Sequence, residues 1–303
     1  MRRLLASAAA LAAVPTLVVA ACGGGAGKPR PDLVFVSTKS GVYDIYAMNA
    51  DGSRQVDLTN GPRNGALEYA TDPAFSPDGK SIAFTSTRTG NQAIFLMDVD
   101  GTNQRELSSS PGGDSSPTWS PDGKRIAFVR GQTPALYVMN ANGTGANRIT
   151  ESGAAESDPA WSPDGRWIAF VRVQLATPTR EIWLVHPDGT GAHFLTELGA
   201  SVNSPTWSPD SRRVAFSTDA RTGHFGIYWI ALNGKGAHLI SGGAGDAVSP
   251  DWSPDGQSIA FTRNGAVVVA DASGGGPETA VTNPKDNDSQ PDWNPAPPPA
   301  KGS

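Results

Sequence analysis

Acidic and amide side chains recur along this chain, each at or just before the start of a short extended segment: Asp72, Asp114, Glu156 with Asp158, Asn203, Asp246 and Asp288. Carboxylates drawn from such distant positions could do one of two things. If the fold brings them to a common rim, they form a polar, net-negative ring whose field steers and selects a partner. If each meets a nearby cation, they are satisfied locally and contribute little. Arg130, Arg172 and Arg263 are the cations available to Asp158 and its like, since each stands two residues past the Phe of its own segment and should emerge on the same face. Both readings stand at this level. Other chemistry is poorly provided for. The chain has no Gly-x-Ser-x-Gly elbow, no His-Glu-x-x-His, no P-loop and no cysteine cluster. Of the four histidines (His186, His193, His224, His238), His193 and His238 hold equivalent places, so duplication of a repeat accounts for them better than metal ligation does. No catalytic residue, metal or cofactor is expected, and the chain does not read as an enzyme.

The elements that must position these side chains are copies of one unit. Trp161-Ser162-Pro163-Asp164-Gly165 runs into Ile168-Ala169-Phe170, and the same hairpin recurs at Phe75–Phe84, Trp119–Phe128, Trp207–Phe216 and Trp252–Phe261. With a decayed copy at Trp293-Asn294-Pro295, the aromatic anchors are 44, 42, 46, 45 and 41 residues apart. Ser-Pro-Asp-Gly is turn chemistry: Pro presets φ, Asp tolerates the third position and Gly takes a left-handed exit. Asp78, Asp122, Asp164, Asp210 and Asp255 therefore read as turn formers. In Ile-Ala-Phe the large side chains face one side and Ala the other, so one face can press closely on a neighbouring sheet. A second strand pair follows each hairpin, with Asp-Gly or Asn-Gly tips such as Asp51-Gly52 and Asn142-Gly143. Four short strands per repeat, at a period in the low forties, predict the blades of an all-β propeller.

The repeat resembles the PD40-type, WD40-like unit of the TolB propeller family over roughly residues 33 to 295. The Gly-His and Trp-Asp pairs of true WD40 repeats do not stand at fixed places. The resemblance implies a six-bladed β-propeller in the cell envelope whose channel face binds a protein partner, such as a peptidoglycan-associated lipoprotein. The chain leaves no segment for the additional N-terminal α/β domain that TolB carries.

Blade counting gives a specific closure. Leu33-Val34-Phe35-Val36-Ser37 is an Ile-Ala-Phe-type strand that arrives without its own hairpin, and Pro291-Asp292-Trp293 is an innermost strand without a successor. Pairing the two builds one blade from both ends of the propeller, closing six four-stranded antiparallel blades into a ring with no long open edge. The propeller is expected over residues 32–295, followed by a disordered Pro-rich tail at 296–303.

Residues 1–21 read as a lipoprotein signal peptide: Arg2 and Arg3, an apolar run, then Val19-Ala20-Ala21-Cys22 as a lipobox. Cys22 is the only cysteine of 303 residues and stands where lipidation requires it; a transmembrane anchor is the alternative. Residues 22–31 form a Gly-rich tether expected to span about 17 Å. Removal of residues 1–21 leaves 22 basic against 29 acidic residues, which excludes a basic patch for nucleic acid. The expectation is an exported, lipid-anchored, monomeric propeller that binds an envelope protein. The alternatives are a sugar- or small-ligand-binding lipoprotein using the channel, and an enzyme using channel residues.

Overall fold

The computed structural model describes residues 30–60, 68–151, 153–173, 179–220 and 223–295. The signal peptide, Cys22, most of the tether and the Pro-rich tail lie outside the described residues. The architecture is a six-bladed β-propeller, each blade a four-stranded antiparallel sheet. Blade one contains Ala70–Phe75, Ser81–Ser86, Ala93–Asp98 and Arg105–Ser109, from the channel outward. Blades two to five repeat this order over 114–148, 156–194, 202–241 and 247–280. Blade six pairs Ser289–Trp293 with Leu33–Ser37, then Asp44–Met48 and Val56–Asp57. Its register sets Leu33 opposite Trp293 and Val34 opposite Asp292, so the ring closes as expected. Among the described residues, one 3-10 turn at Pro284–Asp286 is the helical content, and no helix is long and apolar enough to cross a membrane.

The hairpin chemistry is built as the sequence implies. In blade one Gly79 N–H donates to the Ser76 carbonyl at 2.8 Å, and Asp78 Oδ1 accepts both Ser76 Oγ (2.7 Å) and Lys80 N–H (3.1 Å). The Ser-Asp and Asp-to-backbone bonds recur at Asp122, Asp164, Asp210 and Asp255. The Ser120, Ser208 and Ser253 hydroxyls hold the Asp122, Asp210 and Asp255 carboxyls below their usual range. Blade four puts Ser211 in the left-handed turn position (φ 59°), where its Oγ accepts the Asp164 N–H of the preceding blade.

The core lies between blades rather than within them. Phe35, Phe84, Phe128, Phe170, Phe216 and Phe261 are all completely buried. In blades one to five the second strand presents its Ile or Val and Phe to the blade before it and its Ala to the blade after it; in blade six Leu33 and Phe35 pack against blade five and Val34 against blade one. Ala169, for example, packs with Val202, Trp207, Val214 and Phe216 of the next blade. A small residue on one face lets the aromatic of the neighbour come close, which is why the Ile-Ala-Phe pattern recurs.

The innermost strands carry a feature that alternation does not announce. Each contains a β-bulge, and the residue before its Pro is left-handed: Asp72, Ser116, Asp158, Ser204, Ser249 and Gln290, all with φ between 50° and 53°. A non-Gly residue there costs about 1–2 kcal/mol, so the geometry needs compensation from neighbours. Interblade hydrogen bonds supply it. Asp72 N–H donates to Gln290 Oε1 (3.0 Å), Ser116 N–H to Thr85 Oγ1 (3.0 Å) and Ser204 N–H to Asp158 Oδ2 (3.4 Å).

Candidate functional site

The six bulges sort the acidic side chains into two layers. The residue two before each bulge residue (Ala70, Asp114, Glu156, Val202, Ala247 and Asp288) turns into the blade interior. The residue at the bulge turns into the central channel.

Asp114 and Glu156 belong to the interior layer. Asp114 is fully buried and held in a fork by Arg130, with Nε–Oδ1 and Nη2–Oδ2 both 2.7 Å. The Ser108 and Ser110 hydroxyls complete its shell at 2.8 and 2.9 Å. Glu156 accepts Arg172 Nη2 at 2.7 Å, the Leu136 N–H at 3.1 Å and the Thr150 hydroxyl. The same knot of carboxylate and outer-strand hydroxyl recurs as Asp44 with Thr59, Glu181 with Thr196 and Glu278 with Ser241. In four blades that Thr hydroxyl also receives a backbone N–H of the third strand, from Ile45, Leu136, Ile182 and Val267. Asp288, likewise fully buried, has its carboxyl pushed up by burial, against the pull of the Ser37 and Thr282 hydroxyls.

The expected ring of acids at one mouth is therefore corrected. Because the residue two before each bulge residue faces the sheet seam, Asp114 and Glu156 are interior groups that tie strands together, and Asp288 is buried with neither carboxylate oxygen hydrogen-bonded among the described residues. The arginine pairing is corrected too: Arg172 meets Glu156, not Asp158, and Arg263 meets Glu278. Asn203 accepts Arg180 Nη1 at 2.9 Å, and exposed Asp246 accepts the Phe225 N–H at 2.9 Å beside His224. Of the residues singled out, only Asp72 and Asp158 line the channel.

The channel is a cavity of about 460 Å³. Its wall carries two carboxylates that the sequence reading passed over, Asp251 and Asp292. Their neighbours give the signal that could have found them: Pro250-Asp251-Trp252 and Pro291-Asp292-Trp293 repeat where other blades have Pro-Ala or Pro-Thr. Innermost strands are sheet edges, so their outward N–H groups need partners. Channel side chains provide them across the blade boundaries. Asp292 Oδ2 accepts the Phe75 N–H at 2.8 Å, Asp251 Oδ2 accepts the Trp293 N–H at 2.8 Å, and Thr118 Oγ1 accepts the Trp161 N–H at 3.3 Å. Thr206 Oγ1 donates to Asp251 Oδ1 at 2.9 Å, and Gln290 Nε2 to Asp72 Oδ1 at 2.7 Å.

Burial raises three carboxyls of this wall, those of Asp158, Asp251 and Asp292. Asp251 is pushed up to about 6, and Asp292, also repelled by Asp251, stands well above the usual range. Burial and then Asp72 raise Asp158. A carboxyl raised in the folded state stabilises the fold least when ionised. The contribution is greatest below the unfolded pKa near 4 and is lost as pH rises through 6. Asp292→Asn keeps an acceptor for the Phe75 N–H and removes the repulsion. The variant is expected to melt higher than wild type at pH 7, by an increment on the order of 1–3 kcal/mol. The difference should vanish near pH 4, as read by thermal unfolding across pH. A difference that grows on acidification instead would show that these carboxyls are held down rather than raised.

Among the described residues, no three His, Cys, Asp or Glu side chains converge in a way that could hold a metal ion. The four histidines lie away from the channel wall: His186 stacks on Trp167 at 3.8 Å and His238 on Trp229 at 4.1 Å, while His193 sets its edge to Trp167.

A model of the TolB β-propeller domain matches residues 64–219 and 159–297 of this chain. No curated protein matches it. Among solved structures, TolB from Acinetobacter baumannii superposes with a TM-score of 0.75 at 20% identity, over 86% of this chain and 66% of that one. The chain thus spans just under two thirds of that relative. A putative TolB from Agrobacterium tumefaciens gives 0.66 at 18% identity, over 87% of this chain and 97% of that chain. A puromycin-hydrolysing peptidase from Mycobacterium tuberculosis gives 0.60 at 15% identity, over 84% of this chain and 45% of the peptidase.

Proposed function

The chain belongs to the TolB β-propeller family, and on that premise we propose that it is a non-catalytic, lipid-anchored binding module of the bacterial cell envelope. It acts as a monomer, tethered through Cys22, and takes a protein partner at the channel; a peptidoglycan-associated lipoprotein is the partner type the family suggests. The observation that carries this reading is the channel itself. It is a preformed cavity whose backbone is hydrogen-bonded from within, and its wall presents Asp72, Asp158, Asp251 and Asp292 without a basic side chain among its lining residues. Such a wall favours a partner segment bearing cationic or hydrogen-bond-donating groups, and sets association rate and specificity more than affinity. The peptidase relative shares the fold over less than half its own length. In the present chain the channel hydroxyls and carboxylates pair with backbone N–H groups and with one another, and no histidine lines the channel to act as a base. That arrangement supports binding over catalysis.

The test is capture of a partner from solubilised membranes. Wild-type protein is expected in the membrane fraction, and Cys22→Ala in the soluble one. Asp72→Asn combined with Asp158→Asn should weaken partner capture, most at low salt, whereas Asp122→Asn with Asp164→Asn in the turns should leave it unchanged. Loss of the partner in the turn variants but not the channel variants would place docking elsewhere and sink the channel reading.

A further inference from the structure

A second cavity, of about 380 Å³, opens where blade six meets its neighbours, lined by Val36, Tyr43, Tyr69, Thr71, Ser249, Ser289 and Gln290. That volume falls within the usual range of small-molecule sites. Ser249 and Gln290 line the channel as well, but three features set the chemistry of this cavity apart.

No side chain in its lining is ionisable at neutral pH. Its aromatic walls differ in freedom. Tyr69 is pinned, its Oη accepting Gln92 Nε2 at 2.8 Å and its N–H donating to Thr87 Oγ1 at 3.1 Å. Tyr43 is anchored through its carbonyl, which accepts the Ala70 N–H at 2.8 Å, and its side chain is left 45% exposed. The polar groups also divide. Gln290 is consumed by its two bonds to Asp72, whereas the hydroxyls of Tyr43, Ser249 and Ser289 make no side-chain hydrogen bond among the described residues. Each of these hydroxyls can donate and accept.

We propose that this cavity is a saccharide-binding site, taking a neutral sugar ring against Tyr43 and hydroxyls from Ser249 and Ser289. Aromatic faces accept the apolar C–H face of a sugar ring while keeping a polar tip for its rim. Hydroxyls that both donate and accept suit a ligand whose own groups do the same. The uncharged lining suits a neutral ring, and an ionised ligand would find no opposite charge there to offset its desolvation. The inference does not depend on protein docking at the channel, and either can fail alone.

The experiment is saturation-transfer NMR with full-length protein and two neutral disaccharides, cellobiose and N,N′-diacetylchitobiose. At least one is expected to bind with millimolar affinity. Tyr43→Ala should weaken it about tenfold or more, Tyr43→Phe less, and Ser289→Ala by an intermediate factor. Leu239→Ala, an exposed apolar residue on an outermost strand, should change nothing. Thermal melting of each variant checks that the fold persists; Tyr43 is exposed enough to be replaced without loss of core. Absence of transfer to both sugars overturns the proposal. So does equal affinity in folded Tyr43→Ala, or exclusive binding of an apolar peptide at the same residues.

Discussion

Truncation after Ser289 is expected to abolish cooperative folding. The lost residues supply the innermost strand of blade six, which pairs Trp293 with Leu33 and Asp292 with Val34. They also carry the ring's seams. Asp292 accepts the Phe75 N–H on one side, the Trp293 N–H is held by Asp251 on the other, and Gln290 is bound twice to Asp72. Asn294 binds the backbone of Asp32 and Pro31. Without this strand, Leu33–Ser37 becomes an open edge although all five of its residues are buried in the intact ring. Exposing Leu33 and Phe35 alone costs roughly 1.5–3 kcal/mol each, against a total stability of about 5–15 kcal/mol for a domain. An exposed apolar edge also invites pairing between chains. Circular dichroism melting and size-exclusion chromatography should show a broad or absent transition and aggregates. A truncated protein with the wild-type Tm and a monomeric profile would mean that the two ends do not share a blade.

Arg172→Ala is expected to be the most damaging single substitution among the arginines. The Glu156 side chain is 0% exposed and that of Arg172 11%, so removing the guanidinium leaves a buried carboxylate uncompensated. Breaking a buried pair from one side costs about 3–5 kcal/mol, and here Arg172 also lies over the Trp183 ring at 4.2 Å. For a chain of this size that corresponds to a fall in Tm of roughly 10 °C. Lys80→Ala provides the contrast. Its pairing with Asp78 is 66% and 57% exposed, and an exposed pair contributes about 0–1 kcal/mol. Parallel melts of the two variants decide the matter. If Arg172→Ala melts like wild type, Glu156 faces water after all and returns to the set of candidate rim acids. Substituting Asp114 or Glu156 therefore tests folding, not recognition, and the channel variants above leave both alone.

The repeat is written in local chemistry, and that much could be read without coordinates. Ser-Pro-Asp-Gly makes its turn from residues in immediate contact, and the large-small-large alternation of Ile-Ala-Phe states which face must admit a neighbour's aromatic. The closure was legible for the same reason: a strand lacking its hairpin at Leu33 and a hairpin strand lacking its successor at Trp293 complete each other. The placement of the acids was not legible. In a regular strand Glu156 and Asp158, two residues apart, share a face. The bulge between Ser157 and Ala160 breaks that period, so Glu156 turns into the blade and Asp158 into the channel. A bulge of this kind at a non-Gly residue is strained on its own, and at Asp72, Ser116 and Ser204 a contact from the preceding blade holds it. At Asp72 that contact comes from Gln290, 218 residues away. No local pattern encodes such a bond. Only ring closure brings its partners together, and with them the Asp251–Asp292 pair and the Tyr43 cavity.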